Sequence, residues 1–70
     1  MSEEPDLYDV LEVAPHARPA VIDAAFRVLR EEVAGDDGDG AVAGLVLLNR
    51  AHAVLADPTR RAAYDQGRPR

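Results

Sequence analysis

The sequence predicts an all-α domain, a small four-helix fold built around a central antiparallel helical hairpin. The chain has 70 residues with one Phe, two Tyr and no Trp, so its core must consist mainly of Ala, Val and Leu, a composition that favours packed helices. Prolines divide the chain into short segments, and apolar residues recur at helical spacing between them.

Prolines set the limits of the first two predicted helices. A short helix over residues 6–11 ends before Pro15, and Pro19 suits the first turn of a second helix over residues 19–33. The apolar side chains of the second helix form one stripe, which predicts burial of that face. The stripe consists of Ile22, Ala25, Phe26, Leu29 and Val33.

Residues 35–40 carry three Gly and three Asp, so we expect a loop there. A third helix over residues 41–56 and the second helix should then pair as the antiparallel hairpin. A fourth helix can begin with Asp57 as its N-cap and Pro58 in its first turn. One face of the third helix carries Leu45, Leu48, Ala51, His52 and Leu55. The predicted core centres on Leu7, Val10, Leu11, Ile22, Phe26, Leu29, Leu45, Leu48 and Leu55.

Charge and composition exclude several classes of partner. A net charge of −5 opposes binding to nucleic acid or to anionic membranes, and the longest apolar run is too short to span a bilayer. Without cysteine the chain has neither a disulfide nor a thiolate metal site. We expect a cytoplasmic domain over residues 6–66, with an N-terminal tail at 1–5 and a polar tail or linker at 67–70.

Four segments, taken in order, resemble the J-domain of the DnaJ family. Residues 6–13, DLYDVLEV, are similar to its opening, where an acidic residue and aromatics precede Val-Leu-Gly-Val. Residues 22–29 are similar to its second helix, residues 48–58 to its third, and residues 60–65, RRAAYD, to its fourth. The resemblance implies the four-helix J-domain fold and a role related to DnaK-type chaperones.

The same resemblance shows which functional element is degenerate. In J-domains the second helix ends in an aromatic residue followed by His-Pro-Asp, the tripeptide implied to trigger ATP hydrolysis in the DnaK-type partner. Counting from Phe26, those three positions hold Ala34, Gly35 and Asp36. Only the aspartate remains, so we expect the trigger to be absent.

The exposed face of the second helix departs from the family as well. J-domains are basic there, which matches an acidic patch on the ATPase. The corresponding positions here are Asp23, Ala24, Arg27, Val28 and Glu32, with two acidic residues and one basic residue, a sum of −1. Since complementary charge sets encounter rate and register, this face should associate poorly with an acidic patch.

The acidic loop and the two histidines invite other interpretations. A calcium loop started at Asp37 would place Ala41 and Leu48 at its fifth and twelfth positions, and neither has a side-chain oxygen. His16 should be a solvated turn residue, and His52 a partly buried residue with a hydrogen-bond partner. No nucleophile or second metal ligand accompanies either one in the sequence. We therefore expect no enzymatic activity, no metal and no cofactor.

The outer side of the third helix is unusually apolar. Val42, Val46 and Ala53, with Leu47 at their flank, stand where J-domains carry Glu and Lys. Such a group of side chains forms a candidate partner surface. Either a flanking domain of a larger protein or a separate protein partner can cover it, and a weak homodimer is a third alternative.

These observations favour a J-like protein-interaction or scaffolding module that does not stimulate a DnaK-type ATPase. The alternative is a divergent co-chaperone that regulates such an ATPase. The two hypotheses differ in whether residues 34–36 need to be His-Pro-Asp.

Overall fold

The computed structural model describes residues 5–35, 38 and 40–68, and that part of the chain contains helices and no strand. The helices are α1 (Leu7–Val10), α2 (Pro19–Ala34), α3 (Gly40–Leu55) and α4 (Pro58–Gly67). α2 and α3 form the hairpin, and α1 and α4 both pack against α3. The predicted all-α fold with a central hairpin is confirmed.

Local sequence explains where the helices begin. The Asp6 carboxylate accepts a hydrogen bond from the Tyr8 N–H at 2.9 Å, so Asp6 is the N-cap of α1 and not its first residue. Asp57 caps α4 in the predicted manner and accepts from the N–H groups of Thr59 and Arg60 at 2.9 and 3.2 Å. These bonds satisfy N–H groups that have no partner within the helix.

The turn after α1 places a non-glycine residue in the left-handed region. Glu12 has φ of 56°. Its N–H donates to the Asp9 carbonyl at 3.0 Å, and the Val13 N–H donates to the Tyr8 carbonyl at 3.0 Å. This pair of bonds is a Schellman motif, whose left-handed position glycine normally fills. Glu12 occupies the Gly position of the Val-Leu-Gly-Val pattern. The turn is therefore formed although glycine, the residue that adopts this conformation most easily, is replaced by Glu.

The core differs from the predicted one at five positions: Tyr8 and Ala51 are buried in addition, and Val10, Leu29 and Leu45 are only partly buried. Tyr8 is buried, because its hydroxyl finds partners on α4. Leu45 is only half-buried, because it lies seven residues before His52 on the same partly exposed edge of α3. Val10 and Leu29 pack against the core while partly buried. The buried residues are Leu7, Tyr8, Leu11, Ile22, Phe26, Leu48, Ala51 and Leu55.

The fourth helix includes the first residue of the expected tail at 67–70. α4 continues through Gly67, and Arg68 follows as its C-cap. The Arg68 side chain is three-quarters buried and reaches back to α1. Gly67 and Arg68 therefore lie within the packed fold, because the Arg68 side chain contacts α1.

Candidate functional site

Ala34 and Gly35, the first two positions that we expected to correspond to His-Pro-Asp, lie at the end of α2. Ala34 is the final helical residue, and Gly35 caps the helix with φ of −83° and ψ of −4°. The Gly35 N–H donates to the Glu31 carbonyl at 3.2 Å. Helical hydrogen bonding therefore continues through both positions. Asp36 lies outside the described residues.

A proline at position 35 is incompatible with this hydrogen bond. Proline has no N–H, so the Glu31 carbonyl would lose its donor, and it disfavours helical geometry at the residue before it, here Ala34. The Ala34 methyl group also has no hydrogen-bonding atom in place of an imidazole. α2 thus ends as regular helix where the resemblance implies a His-Pro turn.

The outward face of α2 carries mixed charge in the folded chain. All five positions that J-domains make basic are exposed: Asp23, Ala24, Arg27, Val28 and Glu32. Val28 leaves 56% of its surface in solvent. An acidic partner surface would meet two carboxylates, one guanidinium and apolar side chains here, which gives no net attraction.

Ring stacking and a hydrogen bond at His52 fix which edge of α2 faces α3. His52 Nε2 lies 2.9 Å from Asp23 Oδ1. The His52 ring stacks on Phe26 with centroids 4.1 Å apart and planes 13° apart. The Arg30 guanidinium lies 5.2 Å from the centroid of the Phe26 ring. The predictions for the histidines are confirmed, since His52 is half-buried with a partner and His16 is exposed in a turn.

The structure leaves the predicted partner surface of α3 open to solvent. Val42, Val46 and Leu47 are 73%, 60% and 38% exposed, and Ala53 is exposed as well. Since successive residues of an α-helix are about 100° apart, Val42, Val46 and Ala53 fall in one narrow sector. Leu47 lies about 100° from Val46 around the helix, on another side.

Tyr8 is the centre of a polar cluster that joins α1 to α4. Its hydroxyl donates to Asp65 at 2.5 Å and accepts from Arg61 Nε at 3.0 Å. Arg61 also donates to the carbonyls of Pro15 and Ala17 at 3.0 and 2.7 Å. Burial raises the pKa of Tyr8, and the hydrogen bond to the Asp65 carboxylate raises it further. The phenol therefore remains a neutral donor, and the cluster ties helices together.

Asp6 extends this cluster to the end of α4. Tyr64 donates its hydroxyl hydrogen to Asp6 Oδ1 at 3.2 Å and accepts the Leu7 N–H at 2.9 Å. The Arg68 guanidinium donates to Asp6 Oδ2 and lies 4.9 Å from the Tyr8 ring centroid. Burial raises the pKa of Asp6, but the hydrogen bonds from Arg68 and the Tyr8 N–H outweigh it and lower the pKa below its usual value.

Metal-ligand clusters, membrane-spanning helices and cavities were sought in the described part of the chain. Residues 5–35, 38 and 40–68 include no group of three or more His, Asp or Glu side chains arranged to hold a metal ion. None of the helices in that part is both long and apolar enough to cross a bilayer. A shallow cavity of about 260 Å³ lies beside Pro19, Leu55 and Pro58, but its polar side chains, Arg61 and Asp65, already bind Tyr8.

The sequence is similar to that of known proteins. Residues 6–65 match the DnaJ domain. The chain is 37% identical over 67 residues to DnaJ homolog subfamily A member 4 of Homo sapiens, covering 96% of this chain and 17% of that protein. It is 39% identical over 64 residues to Chaperone protein DnaJ of Carboxydothermus hydrogenoformans, covering 87% and 17%. Against Chaperone protein DnaJ of Ureaplasma parvum serovar 3 it is 42% identical over 62 residues, covering 87% and 16%. The chain thus spans about a sixth of the length of these relatives.

Proposed function

Because the chain belongs to the DnaJ domain family, whose members are co-chaperone modules, we propose that it is a J-domain which binds proteins without stimulating a DnaK-type ATPase. The observation that carries the proposal is the end of α2. Ala34 and Gly35 replace His-Pro, and the Gly35 N–H makes a helical hydrogen bond that proline cannot make. The element implied to trigger ATP hydrolysis is therefore missing in chemistry and in backbone shape.

The outward face of α2 supports the same proposal independently. A basic face would steer the module towards an acidic ATPase surface, whereas this face has exposed Asp23 and Glu32 against Arg27. The charge of this face affects association with the ATPase, whereas the tripeptide affects the triggering of hydrolysis. Restoring one of them therefore leaves the other defect in place.

The proposed activity is binding, and its surface is the apolar side of α3. Among the residues that the structure describes, Val42 and Val46 are the two most exposed large apolar side chains. Covering them with a protein partner, or with a flanking domain of a longer protein, removes apolar surface from water. We propose a cytoplasmic module that acts through this contact and catalyses no reaction itself.

The rate of ATP hydrolysis by a DnaK-type chaperone tests the proposal. The chain should leave that rate unchanged, while the J-domain of Chaperone protein DnaJ serves as the positive control. Restoring Ala34→His and Gly35→Pro should recover little stimulation, because the face of α2 stays acidic. Stimulation by the unaltered chain would favour the divergent co-chaperone, and full recovery by the two changes would show that the face contributes little.

A further inference from the structure

α4 is joined to the rest of the domain with little buried apolar surface. The structure describes all ten of its residues, PTRRAAYDQG, and none of them is buried. From this helix, the hydrophobic residue packed against the core is Tyr64, which is partly buried. The hairpin, by contrast, buries Ile22, Phe26, Leu48, Ala51 and Leu55. Since burial of apolar surface is the main stabilising contribution to folding, α4 is attached more weakly than the hairpin helices are to each other.

The contact beneath α4 is also incomplete. The shallow cavity of about 260 Å³ lies between this helix and the end of α3, where Leu55 and Ala56 face Pro58 and Ala62. Ala62 borders the cavity and stays exposed. Protein interiors are normally packed without gaps of this size. α4 therefore gains less from contact with α3 than a closely packed helix would.

Side-chain hydrogen bonds provide much of the remaining attachment. The Tyr8 hydroxyl donates to Asp65 at 2.5 Å and accepts from Arg61 at 3.0 Å. The Arg68 guanidinium donates to the Asp6 carboxylate. Each of these bonds replaces a bond to water that the separated groups would make, so its net contribution is small. Water can take over these contacts if the helix moves away.

α4 is too short to persist as a helix away from α1 and α3. It has ten residues, whereas isolated helices shorter than about 12–15 residues are marginal in water. Its release is therefore a local unfolding of residues 58–68. Local unfolding occurs where a protein has few buried apolar contacts and more solvent-exposed backbone.

We propose that residues 58–68 form a strap, which opens as one unit while α1 and the α2–α3 hairpin stay folded. In the closed form the Cζ atoms of Arg61 and Arg68 lie 5.5 and 4.9 Å from the centroid of the Tyr8 ring. Tyr8 and Leu55 are each 1% exposed beneath or beside the strap. Opening would expose both, so the strap controls access to α1 and to the end of α3. The proposal is independent of the proposed function, because neither the end of α2 nor the outer side of α3 takes part.

Hydrogen exchange of backbone amides, followed by NMR on the folded chain, measures this opening. We expect protection factors in residues 61–67 to be about tenfold or more below those in residues 48–55. Protection of the α3 amides should fall steeply with added urea, because global unfolding exposes a large surface. Protection of the strap amides should fall only slightly, because local opening exposes little.

Two variants distinguish a strap from a domain that opens only as a whole. Leu29→Ala removes a contact between α2 and the core that the closed and the open form both retain. It should therefore lower the protection of the α3 amides and leave that of the strap amides unaltered. Arg68→Gln removes a contact that the closed form alone makes. It should lower the protection of both groups of amides by the same factor, about fivefold.

Arg60→Gln is the matched control for Arg68→Gln, because it makes the same change on the same helix. Arg60 is exposed and lies 3.9 Å from the neighbouring Asp57, outside the contacts with α1. Its replacement should change protection by less than about twofold. Circular dichroism checks that each variant is folded.

Three results would overturn the proposal. Equal protection of the strap and α3 amides, with the same dependence on urea, would show that α4 unfolds only with the whole domain. Loss of strap protection in Leu29→Ala would show the same. Equal effects of Arg68→Gln and Arg60→Gln would show that the contact with Asp6 does not hold the strap. None of these results involves a chaperone, so the proposed function can fail separately, through stimulation of ATP hydrolysis by the unaltered chain.

Discussion

Glu12 has a backbone conformation that its side chain disfavours. Its φ of 56° places Cβ close to the neighbouring carbonyl oxygen. Changing Glu12→Gly should raise the free energy of unfolding by about 1 kcal/mol, since glycine adopts this conformation without that contact. Urea denaturation measures the change. Glu12→Ala keeps Cβ and should gain little, and an equal gain from both variants would assign the effect to the lost charge.

Asp6 makes stability depend on pH in a specific direction. The pKa of its carboxyl is lowered in the folded chain. Its contribution is therefore complete above the unfolded-state pKa of about 3.9 and is lost as pH falls through the lower folded-state value. Asp6→Asn keeps an N-cap side chain for Tyr8 but loses the charge facing Arg68.

The variant Asp6→Asn should unfold at lower temperature than the unaltered chain near pH 7. The difference should shrink as the buffer is made more acidic than the pKa of the carboxyl, because both proteins then lack the charge. Thermal unfolding of both proteins, followed by circular dichroism near pH 7 and in the acidic buffer, tests this. If the two unfolding temperatures differ by the same amount at both pH values, the effect comes from replacing a carboxyl group by an amide and not from the lost charge.

At the scale of elements, the α2–α3 hairpin depends on Phe26. The ring is 9% exposed and stacks on His52 of α3. Phe26→Ala should cost about 3–5 kcal/mol, which is comparable to the whole stability of a small domain. Urea denaturation measures this loss, and the variant should show no cooperative unfolding transition if the loss equals the stability of the domain. Val28→Ala on the same helix, at an exposed position, should change stability by about 0.5 kcal/mol or less, and similar losses would contradict the packing described.

Sequence was sufficient for the helices that local rules determine. Pro19 and Asp57–Pro58 mark helix starts by their own geometry, and the stripe through Ile22 and Phe26 requires one buried face. The burial of Tyr8 depends instead on Asp65, 57 residues away, and the packing of Arg68 on Asp6, 62 residues away. No local pattern encodes such pairs. The spacing of Arg61, Asp65 and Arg68 along one side of α4 was nevertheless a signal that this side packs against another helix.

The candidate site was partly predictable for the same reason. Position counting from Phe26 is sufficient to find Ala34 and Gly35, and helical periodicity places Val42 and Val46 on the outside of α3. The contact between His52 and Asp23 required the structure, because the two residues lie 29 positions apart in the sequence and no local pattern pairs them.

For the whole molecule, the account holds that a J-domain fold is retained while its trigger is lost. The four helices, the core and the tie between α1 and α4 are intact. The end of α2 and the charge of its outer face differ from what the resemblance implies for an active member. We propose that folding and stimulation of a chaperone ATPase depend on different residues, so that the first is kept and the second is lost.

Single-turnover ATP hydrolysis by a DnaK-type chaperone, measured over increasing concentrations of this chain, tests that account most directly. The J-domain of Chaperone protein DnaJ runs in parallel, and circular dichroism verifies that both domains are folded. We predict a hydrolysis rate that stays at the unstimulated value across the whole concentration range. A rate that rises and saturates with this chain would show that Ala34 and Gly35 do not abolish the trigger, and would contradict the account.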